Sequence, residues 1–180
     1  MINTILERLK KVKDFRQNQG KRHEIWVVLS IIVLSILTGN SSYKQIEMFS
    51  NNNQEQLINI LNIPSKKLPS YSTIRRVMMG VKESEIQLIF DEIISANYSE
   101  YQEDWIAVDG KSLKNTLTNY EQNGQNMLVT VSGFSLEAKL IIKSKTFESK
   151  KSSEIKQVQE LIRDSGLENK TFTLDALPPQ

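Results

Sequence analysis

The sequence predicts an α+β protein in which an all-α N-terminal helical domain, residues 1–98, precedes an α/β domain, residues 99–180. In the first domain, apolar residues recur three and four positions apart, which is the spacing of amphipathic helices. Near residue 98 this period ends, and short apolar runs separated by polar turns indicate strands. A chain of 180 residues is long enough for two small domains.

The composition excludes several kinds of site. Hydrophobic residues make up 39% and charged residues 24% of the chain, with a net charge of +2, as in ordinary globular proteins. There is no cysteine, which excludes disulfides and thiolate metal sites, and the single histidine, His23, argues against a zinc site. The most apolar segment, Ile25–Leu37, is shorter than the roughly 20 residues of a membrane-spanning helix. We therefore expect a cytoplasmic protein with no membrane partner.

The first domain is predicted to contain six helices. The basic segment Met1–Arg22, with a net charge of +5, places apolar residues at helical spacing from Ile2 to Val12. Ile25–Leu37 is apolar nearly all round, which is typical of the central helix of a bundle. Four more helices are predicted: one capped by Ser41 or Ser42, one at Gln54–Leu61, one capped by Ser70 or Ser72, and one at Glu83–Ala96.

The segment between Leu61 and Lys82 carries five positive side chains and no acid. A short polar turn followed by a basic helix fits a helix-turn-helix motif for DNA binding. The candidate DNA-binding residues of this segment are Lys66, Lys67, Thr73, Arg75 and Arg76. A basic helix face exposed only to solvent explains the same pattern equally well, so the sequence leaves both interpretations open.

The second domain is predicted to begin with a strand at Trp105–Asp109, followed by a polar loop at Leu113–Gln125. The later elements are strands at Met127–Phe134 and Leu140–Phe147, which pair antiparallel, a helix capped by Ser152 or Ser153 and ended by Gly166, and a strand at Lys170–Leu174. This order, strand-strand-strand-helix-strand, is the opening order of a ribonuclease-H-like fold. In that fold the first strand is central and the fourth lies beside it, so the domain is predicted to be an incomplete ribonuclease-H-like domain.

Two of the predicted strands end in an aspartate, Asp109 on the first and Asp175 on the fourth. If these strands are adjacent, the two carboxylates are neighbours, and a bound divalent cation would relieve their mutual repulsion. Carboxylate oxygens suit Mg²⁺ or Mn²⁺, and such ions catalyse phosphodiester transfer. Asp109 and Asp175 are therefore the candidate catalytic and metal-binding residues. Each aspartate alone is explained better by a strand-end turn or a helix cap than by catalysis.

Two nearby charged residues each have two interpretations. Lys111 follows Asp109 by two positions, where its ammonium group either neutralises a DNA phosphate or projects from a solvated loop. Glu154 lies in the first turn of the predicted helix. Electrostatic stabilisation of the helix N-terminus explains Glu154 better than a role as a metal ligand.

Six short motifs occur in the order found in a known family. They are Gly20-Lys21-Arg22-His23, Leu37-Thr38-Gly39-Asn40-Ser41-Ser42-Tyr43 with Ile46, Pro69-Ser70 with Thr73 and Arg76, Ile106-Ala107-Val108-Asp109-Gly110-Lys111, Lys151 with Glu154-Ile155, and Leu174-Asp175-Ala176 with Gln180. In these motifs the chain resembles the H-repeat-associated DDE transposases of bacterial insertion sequences. Any one motif is weak, whereas six in order with consistent spacing are specific.

The resemblance implies a helical DNA-associated domain and a catalytic domain that cleaves and transfers DNA strands with Mg²⁺ at insertion-sequence ends. It implies that Asp109 is the first acid of the catalytic triad and Asp175 the second. The third acid, a glutamate on a later helix, is expected beyond Gln180, and Leu177-Pro178-Pro179 departs from the family's pattern. We therefore expect the chain to be a truncated N-terminal part of a transposase that is inactive alone.

Three other functions stay open on the sequence. The chain could be a DNA-binding remnant that competes with or inhibits an intact transposase, a different ribonuclease-H-like nuclease, or a purely structural helical module with a mixed tail. An incomplete sheet would also leave apolar surface exposed, and such surfaces mark sites of association. A homo-oligomer is therefore a further expectation.

Overall fold

The structure, a computed structural model, describes residues 2–98, 101, 103–118 and 126–174. These residues form an α+β protein with helices in the first part and a mixed sheet with one helix in the second. The chain divides into two compact units, unit 1 (Met1–Ile93) and unit 2 (Ile94–Gln180).

Among the described residues, six helices precede the sheet, as the sequence predicts. They are α1 (Ile2–Leu9), α2 (Ile25–Leu37), α3 (Tyr43–Asn52), α4 (Gln54–Ile60), α5 (Tyr71–Gly80) and α6 (Glu83–Tyr98). A short 3₁₀ turn, Asn18–Gly20, lies between α1 and α2. The core of unit 1 is formed by fully buried aliphatic side chains from four of these helices, namely Leu9, Val28, Ile31, Ile46, Ile74 and Val77.

Local capping chemistry fixes where helix α3 begins. The Ser42 hydroxyl accepts a hydrogen bond from the Gln45 backbone N–H, and the Gln45 side chain accepts one from the Ser42 N–H. This reciprocal arrangement satisfies two backbone donors that the helix itself leaves unpaired. Before α3, Gly39 adopts a φ of +86°, a left-handed conformation in which glycine carries no steric penalty. Glycine therefore allows the chain to turn sharply after α2.

The described residues of unit 2 form a four-stranded sheet with the order β3-β2-β1-β4. Its elements are β1 (Asp104–Thr118), β2 (Asn126–Ser135), β3 (Leu140–Glu148), helix α7 (Glu154–Asp164) and β4 (Lys170–Leu174). Strands β1–β2 and β2–β3 are antiparallel, whereas β4 runs parallel to β1. The predicted antiparallel pair and the predicted position of the fourth strand beside the first are both confirmed.

Strand β1 is longer than predicted. The sequence placed its end at Asp109 and a loop from Leu113, but the strand continues to Thr118. Its polar second half lacks the apolar alternation that marks a strand in sequence, and it is held in the sheet by pairing with β2, as in the partners Lys111 and Thr130. Asp109 therefore lies in the middle of a strand rather than at its end, and Lys111 is a strand residue rather than a loop residue.

Helix α7 packs on one face of the sheet. Ile106 and Val108 of β1 are buried in a cluster with Val158 and Leu161 of α7. Successive strand residues point to opposite faces, so Trp105, Ala107 and Asp109 belong to the other face. On that face, 57% of Trp105 is exposed. Trp105 is therefore an exposed apolar side chain on this face of the sheet.

In the part of the chain that the structure describes, no helix is both long enough and apolar enough to cross a membrane. Helix α2 is the most apolar, but it has only 13 residues. Its side chains Val28 and Ile31 are fully buried in the core of unit 1. Its hydrophobicity is therefore explained by packing against the neighbouring helices.

Candidate functional site

Asp109 is exposed on the sheet face opposite α7. Its Cα partner across the antiparallel pair is Ser132 of β2. On the other side, the parallel register of β1 and β4 runs from the pair Asp104–Lys170 to the pair Val108–Leu174. Asp109 is the next residue of β1 after that last pair. The sheet therefore presents this carboxylate to solvent beside the end of β4.

Asp175, the second predicted acid, lies outside the described residues, so its pairing with Asp109 stays a prediction. Within the described ranges, the acidic, histidine and cysteine side chains form no group of three or more that could hold a metal ion. The metal site proposed from the sequence therefore depends on the position of Asp175.

A second carboxylate, that of Glu154, contacts β1 next to Asp109. A Cβ built on Gly110 would lie 1.7 Å from Glu154 Oε1, so this oxygen occupies the space that any larger residue at position 110 would fill. Gly110 belongs to the face covered by α7, and Glu154 is the first residue of that helix. The sequence explained Glu154 by the helix N-terminus, and its position in the first turn agrees with that explanation. The structure adds that its carboxylate lies against the strand residue after Asp109.

Helix α7 begins as predicted. The Ser153 hydroxyl accepts a hydrogen bond from the Lys156 backbone N–H at 3.4 Å, which satisfies one of the unpaired donors at the helix N-terminus. After the helix, Gly166 has a φ of +61°, so glycine is suited to the turn that leads toward β4. These two residues fix the ends of the element that carries Glu154.

A buried aspartate anchors the beginning of β1, and the sequence analysis missed it. Asp104 is 4% exposed and accepts hydrogen bonds from the Tyr98 hydroxyl at 2.7 Å and from the backbone N–H groups of Trp105 and Glu137. The Ser135 hydroxyl also donates to it. Burial alone raises the pKa of the Asp104 carboxyl, but the hydrogen bonds outweigh burial and lower the pKa below its ordinary value. Burial and the hydrogen bond to Asp104 raise the pKa of Tyr98.

The predicted DNA-binding residues are divided between the two units. Arg75 and Arg76 are exposed on α5, Lys66 and Lys67 are exposed in the segment before it, and Thr73 is half-buried on α5. The sixth predicted DNA-binding residue, Lys111, is exposed on β1 of unit 2. It follows Asp109 by two residues and therefore belongs to the same face of the sheet.

The link between helices α4 and α5 is longer than the turn of a helix-turn-helix motif, which was one of the two interpretations that the sequence left open. The link between them extends from Leu61 to Ser70. A helix-turn-helix motif has a turn of about 3–4 residues. Pro69 is buried within this link, and the Tyr71 backbone N–H at the start of α5 donates a hydrogen bond to the Glu47 carboxylate of α3 at 2.8 Å. Helix α5 is therefore positioned against α3.

A loop between α1 and α2 is organised by a buried arginine. The Arg16 side chain, 2% exposed, forms two hydrogen bonds with the Asp14 carboxylate at 2.9 Å, and its Nη2 donates to the His23 carbonyl oxygen at 2.7 Å. The hydrogen bond from Arg16 lowers the pKa of Asp14. Burial, together with the neighbouring cations Arg22 and Arg16, lowers the pKa of His23.

Comparisons with known proteins agree with this division into units. The family described as DDE_Tnp_1-associated matches residues 6–93, which is nearly all of unit 1. "Putative protein YbfL" of Escherichia coli (strain K12) is 25% identical over 176 residues, covering 98% of this chain and 46% of YbfL. "H repeat-associated putative transposase YhhI" of the same strain is 25% identical over 177 residues, covering 98% of this chain and 46% of YhhI.

A third relative, "Putative transposase YncI" of Escherichia coli O157:H7, is 25% identical over 176 residues, covering 98% of this chain and 44% of YncI. The chain therefore spans about half the length of these three relatives. The alignments extend through both units, and two of the three relatives have transposase in their names. Unit 1 therefore matches the DDE_Tnp_1-associated family, and the chain as a whole is similar to H repeat-associated putative transposases, as its motifs predict.

Proposed function

We propose that the chain acts in transposition as part of a transposase. In this proposal unit 1 binds duplex DNA, and unit 2 supplies Asp109 and Asp175 as ligands for Mg²⁺ or Mn²⁺ in the cleavage and transfer of DNA strands. The transposase relatives support the reaction class. The strand order β3-β2-β1-β4, with only β4 parallel to its neighbour, supports a ribonuclease-H-like arrangement of unit 2.

The parallel pairing of β1 with β4 is the observation that carries the proposal. The last described pair is Val108 with Leu174, and the next residue of each strand is an aspartate. Neighbouring strands lie about 4.8 Å apart, and paired residues share a face of the sheet. If the register continues by one residue, the Asp109 and Asp175 carboxylates lie side by side on the face opposite α7.

The donor atoms of this proposed site fit a hard divalent cation. Mg²⁺ takes about six oxygen ligands and usually binds through one or two carboxylates, with water and substrate phosphate completing its shell. Asp109 is exposed, so water and phosphate oxygens can reach it. When bound, the cation would stabilise charge on the oxygens of a phosphodiester. Lys111, on the same face, would bind a phosphate and orient the DNA backbone.

Titration of the ¹⁵N-labelled chain with Mn²⁺ tests the metal site. We expect the paramagnetic ion to broaden the amide signals of residues around Asp109 and of residues at the end of β4 before others, and excess Mg²⁺ to restore them. Asp109→Asn should abolish this selective broadening because it removes one charged ligand. Asp164→Asn, which changes an exposed acid on α7, is the matched control and should leave it intact. Broadening centred elsewhere, or unchanged by Asp109→Asn, would contradict the proposal.

A further inference from the structure

We propose that the loop Asp14–Arg22 and helix α5 form one DNA-binding surface, in which Lys21 and Arg22 bind backbone phosphates beside Arg75 and Arg76. The inference rests on the proposed function, because it takes duplex DNA as the partner of unit 1. The inference adds the loop, with its cations Lys21 and Arg22, to the DNA-binding residues already proposed on helix α5.

Two contacts place the loop alongside α5. Near the end of the helix, a Cβ built on Gly80 would lie 2.3 Å from two atoms of the Phe15 ring, so the ring packs directly on the glycine backbone. One turn earlier on α5, the Arg76 side chain approaches the loop. Its Nη1 lies 3.8 Å from the position that a Cβ built on Gly20 would occupy. Lys21 directly follows the loop residue that approaches Arg76. The loop therefore brings its own cations next to those of the helix.

The loop is held in one conformation by its internal hydrogen bonds. The buried Arg16 side chain links Asp14 to the His23 carbonyl oxygen across the loop. Within it, the Gly20 backbone N–H donates to the Gln17 carbonyl oxygen at 2.8 Å. A segment fixed in this way loses little conformational entropy when it binds a ligand. The exposed side chains of the loop are therefore presented from a fixed backbone.

The exposed cations of the surface form no close ion pairs among its described residues. Asp14, the acid in the loop, is paired with Arg16, and Lys21 acts on it only as a nearby charge. Among the residues that the structure describes, no carboxylate lies within ion-pair distance of the four exposed cations of the surface, which are Lys21, Arg22, Arg75 and Arg76. Like charges gathered in this way repel one another, whereas the negative charges of a polyanion neutralise them, and the polyanion gains entropy by releasing its own counterions. The phosphate backbone of DNA, the partner that the proposed function gives unit 1, is such a polyanion.

Anisotropy of a fluorescent 30-base-pair duplex of arbitrary sequence, measured over a salt series, tests the inference. We expect Lys21→Gln/Arg22→Gln to weaken binding about tenfold and to reduce the slope of log affinity against log salt by about 2, because each lost phosphate contact contributes about 0.9. Arg75→Gln/Arg76→Gln should have a similar effect. Lys139→Gln/Lys156→Gln removes two exposed charges of unit 2 and should change little. Circular dichroism of each variant confirms that the fold is retained.

The outcomes separate this inference from the proposed function. If the unmodified chain binds the duplex and only the α5 variant loses affinity, the loop is not part of the surface and the inference fails alone. If the unmodified chain does not bind the duplex, or binds only vesicles of phosphatidylglycerol, the proposed DNA-binding role of unit 1 fails as well. Equal losses for the loop variant and the control variant would show an effect of net charge and would also overturn the inference.

Discussion

Replacing Asp104 by alanine is expected to lower the free energy of unfolding of unit 2 by about 3–4 kcal/mol. The substitution leaves two hydroxyl donors, those of Tyr98 and Ser135, and two backbone N–H groups without their common acceptor in a buried site. A buried donor left unpaired costs about 1–3 kcal/mol, and partial entry of water reduces the sum. The chain has one tryptophan in each unit, so Trp105 fluorescence in a Trp26→Phe background reports urea unfolding of unit 2.

The contribution of Asp104 should also depend on pH in a definite direction. The pKa of its carboxyl is lowered in the folded protein, so the folded state favours the ionised form. Its stabilisation is therefore fully present above the ordinary carboxyl pKa of about 4 and is lost as the pH falls through the lower folded value. The difference in unfolding free energy between the unmodified chain and Asp104→Ala should shrink in that window.

The matched control for Asp104 is Asp164→Ala on helix α7. The Asp164 side chain is 55% exposed, so its removal should change the free energy of unfolding by less than about 0.5 kcal/mol. A loss for Asp104→Ala no larger than that of the control would show that the buried network contributes no net stability. A difference that stays constant from pH 7 to pH 3 would contradict the assignment of an ionised Asp104.

Arg16→Ala is expected to destabilise unit 1 by about 3 kcal/mol. The Arg16 side chain is buried, and its loss removes two hydrogen bonds to the Asp14 carboxylate and one to the His23 carbonyl oxygen, while the backbone N–H of residue 16 still donates to Asp14. Removing one partner of a buried ion pair typically costs about 3–5 kcal/mol, and the lower value applies because the Asp14 side chain is 21% exposed. Fluorescence of Trp26 in a Trp105→Phe background follows the unfolding of this unit.

Arg75→Ala provides the comparison for Arg16→Ala, since it removes the same chemical group from an exposed position on α5. We expect it to change the free energy of unfolding by less than about 0.5 kcal/mol. If both arginine variants had the same small effect, the buried pair would not hold the loop, and the fixed presentation of Lys21 and Arg22 would lose its support.

Patterns within single elements were predictable from the sequence. Helix α2 was predicted at Ile25–Leu37 because eleven of its thirteen residues are apolar, which matches a buried helix, and the structure has the same bounds. The order of the elements in unit 2 was predictable from short apolar runs separated by polar turns. The second half of β1 was not, because its lysine, asparagine and threonine residues show no alternation, and only pairing with β2 holds them in the sheet.

Contacts between distant residues could not be read from local patterns. Asp104 resembles any polar residue before a strand, and its partners Tyr98 and Ser135 are brought together only by the folded sheet. The approach of Glu154 to Gly110 likewise depends on the packing of α7. A glycine directly after Asp109 was the one local sign that another group approaches the strand closely.

The most direct test of the central claim is a disulfide between positions 109 and 175. The chain has no cysteine, so Asp109→Cys/Asp175→Cys introduces a single pair. Bridged Cα atoms lie about 4.4–6.8 Å apart, a range that includes neighbouring strands. Ala107→Cys/Thr173→Cys, at a described parallel pair, is the positive control. Trp105→Cys/Asp175→Cys, offset by about 13 Å along the strand, is the negative control.

Oxidation of each variant at low protein concentration, followed by peptide mass mapping, gives the answer. We predict that the 109–175 pair forms an intramolecular disulfide to the same extent as the 107–173 control, while the offset pair does not. If the 107–173 pair closes and the 109–175 pair stays reduced, the two aspartates do not meet, and the proposed metal site of unit 2 is contradicted.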